Sequence, residues 1–288
     1  TCENGLQASV DEIATFDPVN RAIPVCGSQE WDIIKKIVKL PYFERLGSVA
    51  EQFQGEINES TDGRKGCLTK QPGYTPVLRG ANLTRYQVRE ASQGEVWFAD
   101  DVKLLAARRA GSKVFDFRKA RIGFQRSAPQ DNYRRIIAAP LPENVFCFDT
   151  VSYVTEDSAQ ISLFALLALL NSNLFDWWFS ASSTNSKVNQ YQFNNLPFVK
   201  LTRDNRDISD EVDRGMLPEL IAAVGEKAHA GRGIPLWTVQ LLAKLAEKAV
   251  AEESRREIAL RKDRAFLGSA TEVTQRYINA VVYAMFRL

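Results

Sequence analysis

A run of basic side chains between residues 108 and 135 carries the clearest chemistry in the sequence. Nine arginines and lysines oppose two acids there, Asp116 and Asp131, which gives this run +7 in a chain whose total charge is +2, so the other residues sum to −5. Concentrated positive charge of this kind is what binds the phosphates of a nucleic acid. The basic residues are Arg108, Arg109, Lys113, Arg118, Lys119, Arg121, Arg126, Arg134 and Arg135.

Aromatic residues interleave with this basic run. In one interpretation they fill the core while the arginines alternate outward to water; in another the outward arginines form a DNA-binding surface. The two are compatible, and the concentration of charge favours DNA contact. Because alternate side chains of a strand share a face, Arg121 and Phe124 should point to opposite sides, with Phe124 buried. We predict DNA contacts from Arg118, Lys119, Arg121, Arg126, Arg134 and Arg135.

The polar stretch at 180–195 is a second candidate for nucleic-acid contact. Thr184 and Asn185 have side chains that can hydrogen-bond base edges, and Lys187 can meet a phosphate. The alternative is a plain solvated loop.

One short acidic motif could support catalysis. Asp100 and Asp101 could hold a divalent metal while Lys103 orients water, as in a metal-dependent nuclease. A solvated turn is the alternative, because such short matches are common by chance.

The remaining reactive residues predict no metal or covalent site. Cys2, Cys26, Cys67 and Cys147 are far apart, and the single histidine, His229, is near no cysteine. Reduced cysteines in a cytosolic protein are therefore expected, without a zinc site or a serine triad.

Sequence periodicity predicts the elements that would position these residues. A helix that is apolar all round runs from Ile161 to Leu170, with Asp157 or Ser158 as its N-cap, and Asn171-Ser172-Asn173 breaks it. An amphipathic helix is predicted at 29–40, strands at 46–57, 120–126, 133–141 and 144–155, and helices beyond residue 214.

This order predicts an α+β fold. We expect a twisted, mainly antiparallel sheet domain with a buried leucine-rich helix, followed by a C-terminal helical region. The predicted parts are a helical connector at 1–45, a recognition domain at 46–200 and the helical region at 201–288. The continuous apolar run Leu163–Leu170 is too short for a bilayer that needs about 20 residues. We expect a soluble cytoplasmic protein with no membrane contact, cut from a longer polypeptide.

Several blocks of the sequence resemble a known family in their order. Leu169-Leu170-Asn171-Ser172, then Thr184-Asn185, then Leu196-Pro197 form the first block, and Gly55-Glu56, Arg79-Gly80 and Arg85-Tyr86 lie upstream. The basic strands and the last helix, Tyr277–Tyr283, complete the order, although Asn279 stands where the family has an acid. The set resembles the target recognition domains of restriction–modification systems, which occur in type I specificity subunits and in the TaqI-like C-terminal domains of adenine-specific DNA methyltransferases.

The resemblance implies a domain that chooses the DNA sequence for modification. Adenine-N6 methylation, in some relatives with cleavage, would be carried out by a methyltransferase module or subunit outside this chain, with S-adenosylmethionine as the cofactor of that module. The family's double-proline base-gripping motif and its glycine-rich donor loop are absent here, so no cofactor is expected in this chain. Double-stranded DNA is the implied partner, and Arg79 and Arg85 join its predicted contacts.

Three alternatives remain open from the sequence. The chain could be a free-standing type I specificity half-subunit whose long helix is a spacer that docks on methyltransferase subunits. It could be the metal-dependent nuclease using Asp100, Asp101 and Lys103. It could also be a protein-interaction module whose basic strands are only surface. The DNA sequence that would be recognised cannot be read from a single chain.

Overall fold

The structure, a computed structural model, describes most of the chain. It covers residues 8–89, 96–106, 108, 109, 111–127, 129, 132–182, 186–261 and 270–288, with the backbone alone at 257–261 and 270. The helices are α1 Val10–Phe16, α2 Ser28–Val38, α3 Glu59–Arg64, α4 Asp101–Ala106, α5 Leu163–Leu170, α6 Asn173–Ser182, α7 Gln190–Asn194, α8 Ser209–Asp213, α9 Leu217–His229, α10 Trp237–Arg261 and α11 Ala270–Met285.

Short strands build several small sheets. They are β1 Phe43–Arg45, β2 Phe53–Gln54, β3 Leu68–Thr69, β4 Thr75–Leu78, β5 Leu83–Thr84, β6 Gln87–Val88, β7 Trp97–Ala99, β8 Arg121–Gln125, β9 Ala138–Leu141, β10 Phe146–Cys147, β11 Val151–Thr155, β12 Pro197–Val199, β13 Leu201–Thr202 and β14 Ile234–Pro235. One sheet has the order β2-β11-β8-β9 and is antiparallel throughout, and a second has the order β10-β4-β7-β3. The predicted α+β class, mainly antiparallel with C-terminal helices, is confirmed.

The leucine-rich helix α5 lies at the centre of the molecule. Its residues from Ala165 to Leu170 are buried, and the helix packs against β8, β9, α10 and α11. It begins at Leu163, so the expected N-cap at Asp157 or Ser158 is wrong. Those residues form a separate 3-10 turn, Glu156–Ser158, in which Ser158 Oγ accepts a hydrogen bond from the amide of Thr155.

The strand predicted at 144–155 is divided by a turn into β10 and β11. Two other predicted strands are shorter than expected, for identifiable reasons. At 46–57 a 3-10 turn occupies Leu46–Ser48, which leaves only Phe53–Gln54 as strand. At 133–141 the strand begins at Ala138, because Asp176 Oδ1 on α6 accepts the amides of Arg135 and Ile136, at 2.7 and 2.9 Å. Those two amides are therefore not available to a sheet.

The break between α5 and α6 joins the sheet to the helices through Asn171. The Asn171 side chain pairs with the backbone of Ala138 like a peptide group: Nδ2 donates to Ala138 O at 2.9 Å, and Oδ1 accepts Ala138 N at 3.1 Å. The backbone carbonyl of Asn171 accepts hydrogen bonds from Arg134 and from Gln275 on α11. We call this set the Asn171 junction, and Asn279 completes it by accepting the amide of Asn173 at 2.9 Å.

The C-terminal helices share their core with the N-terminal part of the chain. Leu241, Leu242 and Leu245 on the first half of α10 are buried, and one hydrophobic cluster extends from Phe16 to Phe286. Residues 251–256 of α10 are exposed or half-buried. The three-part division of the sequence therefore stays a prediction, with parts that pack on a common core. Among the described residues, no helix is long and apolar enough to cross a membrane.

The Asn171 junction gives a direct stability prediction. Asn171→Ala should leave the buried amide of Ala138 unpaired, at about 1–3 kcal/mol, while Ala138 O keeps the amide of Tyr86 at 2.9 Å. Urea unfolding of this variant beside Asn20→Ala, which removes an exposed side chain, measures the difference. Equal stability of the two variants would contradict the role assigned to Asn171.

Candidate nucleic-acid interface

The turn between β10 and β11, Phe148–Thr150, is where several predicted blocks meet. Two glycines make this possible, because a Cβ at Gly55 would lie 2.0 Å from Phe148 O and a Cβ at Gly80 would lie 2.8 Å from Thr150 O. Only glycine permits backbones to approach this closely. Gly80 N also donates to Thr150 Oγ1 at 3.1 Å. The close approach to the Phe148–Thr150 turn thus explains why glycine stands at these positions in the Gly55-Glu56 and Arg79-Gly80 blocks.

Arg79 is held beside this turn. Its guanidinium makes two hydrogen bonds to the carboxylate of Glu59, at 2.9 and 2.7 Å, and lies 4.5 Å from the centre of the Phe148 ring. The Arg79 side chain is 30% exposed. A fixed, partly exposed guanidinium can bind a phosphate while it stays hydrogen-bonded to Glu59.

Arg126 and Lys187 lie on the other side of the same turn. Arg126 N donates to Thr150 O at 2.9 Å, and its guanidinium donates to Asp149 O at 3.2 Å. Ser127 pairs with Lys187 in an antiparallel bridge, and Val188 N donates to Arg126 O at 2.8 Å. Lys187 is exposed and Arg126 half-buried. We call Arg79, Arg126 and Lys187 the basic edge, since Arg79 and Arg126 contact the Phe148–Thr150 turn and Lys187 pairs with the residue that follows Arg126.

Arg118 and Lys119 lie at the opposite end of β8. A strand rises about 3.4 Å per residue, so the Cα atoms of Arg121 and Arg126 are about 17 Å apart. Arg118 and Lys119 are both exposed. The Lys119 ammonium pairs with Asp116 at 2.9 Å and with Asp157 at 3.1 Å, and hydrogen bonds to these two acids raise its pKa. The predicted cations are therefore divided between two ends of the sheet.

Arg121 does not face outward as expected. Strand β8 is covered on both faces, and the Arg121 side chain is fully buried in an ion pair with Glu56. It also donates to Val145 O and lies 5.0 Å from the centre of the Tyr153 ring. Phe124, expected to be buried, is 0% exposed, which confirms that part of the prediction.

Arg134 and Arg135 also point inward, contrary to expectation. The Arg134 guanidinium donates to Asn171 O, Ser172 O and Asn173 Oδ1, at 3.1, 2.9 and 3.1 Å. Cationic donors suit this position because the carbonyls at a helix C-terminus carry partial negative charge. Arg135 is 6% exposed and lies 4.9 Å from the centre of the Phe179 ring.

Arg85 is half-buried beside Arg134. Its guanidinium contacts Asn171 O at 3.4 Å and lies 5.7 Å from the Tyr86 ring centre. The Tyr86 hydroxyl donates to Gln275 on α11. The Arg85-Tyr86 block thus belongs to the Asn171 junction rather than to the basic edge.

The remaining sequence candidates are two residues of the polar stretch at 180–195 and the acidic motif. Thr184 and Asn185 lie outside the described residues. Asp100 Oδ1 accepts Lys103 N at 3.0 Å at the start of α4, and Lys103 Nζ donates to Gly66 O at 3.0 Å. These contacts are those of a capped surface helix. In the part of the chain that the structure describes, no group of three or more His, Cys, Asp or Glu side chains is arranged to hold a metal.

Sequence reasoning missed the residues that organise the basic edge. Glu59 orients Arg79, and the backbone carbonyls of Asp149 and Thr150 hold Arg126. The available signal was the pair Gly55 and Gly80, because each follows the end of a strand, and glycine beside a strand can mark the close approach of another backbone.

Comparison with known proteins finds likeness among solved structures. No family model matches the sequence, and no curated protein matches it. Among solved structures, a similar chain is that of the Type IIL restriction–modification enzyme MmeI in complex with DNA, with 10% identity and a TM-score of 0.40. The alignment covers 87% of this chain and 33% of that chain, so the protein spans about a third of the enzyme's length. At this TM-score the likeness carries no argument about function.

The buried pair predicts how stability depends on pH. Burial raises the pKa of Glu56 to about 7 from 4.5, although Arg121 opposes the rise. The folded state therefore holds this proton more tightly than the unfolded state, and the stabilisation is complete below pH 4.5 and lost as pH rises through 7. Arg121→Met leaves Glu56 unpaired and should cost about 3–5 kcal/mol when Glu56 is charged. The cost should be smaller at pH 5, where Glu56 takes up a proton.

Urea unfolding of wild type and Arg121→Met between pH 4 and pH 8, with Glu56→Gln as reference, measures this dependence. Glu56→Gln should remove the fall in stability across that range. If Arg121→Met were as stable as wild type at pH 8, the side chain would not be buried as the structure has it.

Proposed function

We propose that this chain is the DNA target recognition domain of a restriction–modification enzyme, with the basic edge as its DNA-contacting surface. The observation that carries the proposal is that Arg79 and Arg126, distant in sequence, both contact one turn, and that Lys187 is paired with the residue after Arg126. Adenine methylation, and cleavage where it occurs, would be performed by modules outside this chain. S-adenosylmethionine would be bound by that methyltransferase module.

The basic edge has the features of a preorganised phosphate-binding surface. Arg79 is fixed by Glu59 and Phe148, and Arg126 by Asp149 O, so little side-chain freedom would be lost on binding. Lys187 is exposed on a segment paired with Ser127. An antiparallel pair of extended segments is a shape that the major groove of DNA can admit.

The Asn171 junction supports the family resemblance in a different way. Asn171-Ser172, Arg85-Tyr86, the arginine-led segment at Arg134 and the last helix at Asn279 are blocks of the resemblance, and all contribute to this junction. A shared order of such blocks is expected if the blocks together maintain the hydrogen bonds that join the sheet to the helices. Asn279 carries no charge, but its side-chain oxygen accepts the amide of Asn173, as the carboxylate of the family pattern could.

The proposed contacts are accordingly revised. Arg79, Arg126 and Lys187 form the DNA surface, and Arg118 and Lys119 are further contacts at the other end of β8. Arg121 and Arg135 are assigned to internal structure, and Arg85 and Arg134 to the Asn171 junction. Thr184 and Asn185, which precede Lys187 in the sequence, remain predicted contacts to DNA bases.

Binding to duplex DNA over a salt series tests the proposal. Each cation on a phosphate contributes about 0.9 to the slope of log affinity against log salt. Arg126→Ala and Lys187→Ala should each weaken binding and lower that slope by about one if they contact phosphate, whereas loss of a base contact should cost about 1–3 kcal/mol on one sequence. Lys248→Ala, an exposed cation on α10, is the matched control. Absence of duplex binding by wild type at low salt would refute the proposal.

A second experiment concerns catalysis. The purified 288-residue chain should neither methylate nor cut DNA, because it lacks the donor-binding and base-gripping motifs. Methyl transfer from S-adenosylmethionine and magnesium-dependent cleavage are the two assays. Cleavage that is abolished by Asp101→Ala would support the nuclease interpretation instead.

A further inference from the structure

A second group of cations lies around Tyr42, outside the basic run at 108–135. Tyr42 is buried, its carbonyl accepts Lys200 N at 2.7 Å, and its hydroxyl donates to Met285 O at 3.2 Å. Strand β12, which ends just before Lys200, and helix α11 are therefore joined to the end of α2 at this residue. The segments meeting there carry Lys36, Lys39, Lys200, Arg232 and Arg287, which we call the Tyr42 patch.

The turn Gly231–Gly233 places Arg232 in this patch. Gly233 has φ +116°, and a Cβ there would lie 2.8 Å from Lys200 O. Ile234 N donates to Lys200 O at 2.9 Å. On the other side of Arg232, a Cβ at Gly231 would lie 3.6 Å from the ring of Pro41. Arg232 is thus held between Lys200 and the end of α2.

Arg287 reaches the patch through an unusual backbone conformation. Its φ is +59°, the left-handed region in which glycine or asparagine commonly ends a helix. Arg287 N donates to Ala284 O at 3.2 Å and closes α11. Met285, two residues before Arg287, accepts the Tyr42 hydroxyl at 3.2 Å, which brings the end of α11 beside Tyr42. Burial raises the pKa of Tyr42, and the charge of Arg287 opposes that rise.

These cations have no acidic partners within the described parts of the chain. Lys36, Lys39, Lys200 and Arg232 are exposed, and no described carboxylate lies within 4.0 Å of them or of Arg287. Glu12, an acid within electrostatic range of Lys39, already accepts an amide from Ser9 and pairs with Lys35. The patch therefore presents uncompensated positive charge.

We propose that the Tyr42 patch binds DNA backbone phosphates, through the cations that meet at Tyr42, Gly231–Gly233 and the end of α11. This inference rests on the proposed function and adds a second DNA-contacting surface to it. The basic edge supplies three cations, fewer than the about 6–10 phosphate contacts of a protein with strongly salt-dependent binding. The Tyr42 patch supplies further contacts that are independent of base sequence, so it adds affinity without specificity.

The test is a triple variant, Lys39→Gln, Lys200→Gln and Arg232→Gln, in the full 288-residue chain. Fluorescence anisotropy with duplex DNA of about 30 base pairs over a salt series gives the affinity and its slope. Loss of three phosphate contacts should lower the slope by about 2–3 and weaken binding equally on all sequences. The matched control is Arg214→Gln, Lys248→Gln and Arg255→Gln, three exposed cations of the helical region whose removal changes the net charge by the same amount.

The outcomes separate this inference from the proposed function. If the triple variant binds like the control triple while Arg126→Ala and Lys187→Ala weaken binding, the patch is not a DNA surface and the proposed function stands. That result would also be expected if the patch met an acidic protein surface. If the triple variant alone lowers the slope, the patch stands and the basic edge is wrong. Absence of duplex binding by wild type at low salt overturns both.

Discussion

The pairing of one side-chain amide with one backbone residue holds the sheet to the helices. Asn171, at the C-terminal end of the most apolar helix, accepts the N–H of Ala138, the residue at which β9 begins, and donates to its C=O alongside the amide of Tyr86. Buried backbone groups without partners are costly, so a strand can end against a helix only if something replaces the missing neighbour. Asparagine does so because its amide carries a donor and an acceptor in the geometry of a peptide. Arg134, Gln275 and Asn279 then satisfy the groups around it.

Much of the fold could be predicted from the sequence. The helix at 29–40, the leucine-rich helix, its end at Asn171 and the strand at 120–126 follow from periodicity and from breakers, and the structure has them at Ser28–Val38, Leu163–Leu170 and Arg121–Gln125. The start of α5 and the late start of β9 could not be predicted in the same way. Both depend on contacts with distant residues: Ser158 exchanges hydrogen bonds with the backbone of Glu51, and Asp176 on α6 accepts the amide of Arg135. Local propensity has no information about such partners.

The candidate site was less accessible to sequence reasoning than the fold. A count of charges locates a basic run, but it does not distinguish an arginine that meets solvent from one that satisfies a helix end or a buried acid. Arg134 and Arg121 are examples of the last two uses. The alternation of side chains along a strand predicted the relative directions of Arg121 and Phe124. The prediction of an exposed arginine also assumed that one face of the strand meets solvent, and β8 has no such face. Burial of both faces is a tertiary property, since it depends on α5 on one side and Tyr153 on the other.

The wide separation of the junction's members along the chain affects how the protein is made. Asn171 and Asn279 are 108 residues apart, and synthesis at about 5–20 residues per second puts about 5–20 s between them. During that interval α5 has emerged, while α10 and α11, which cover it in the finished molecule, are incomplete. Contacts between such distant residues also close large loops and form slowly. The nascent chain, rather than the folded protein, is thus the form in which the leucines of α5 are most open to aggregation or to a chaperone.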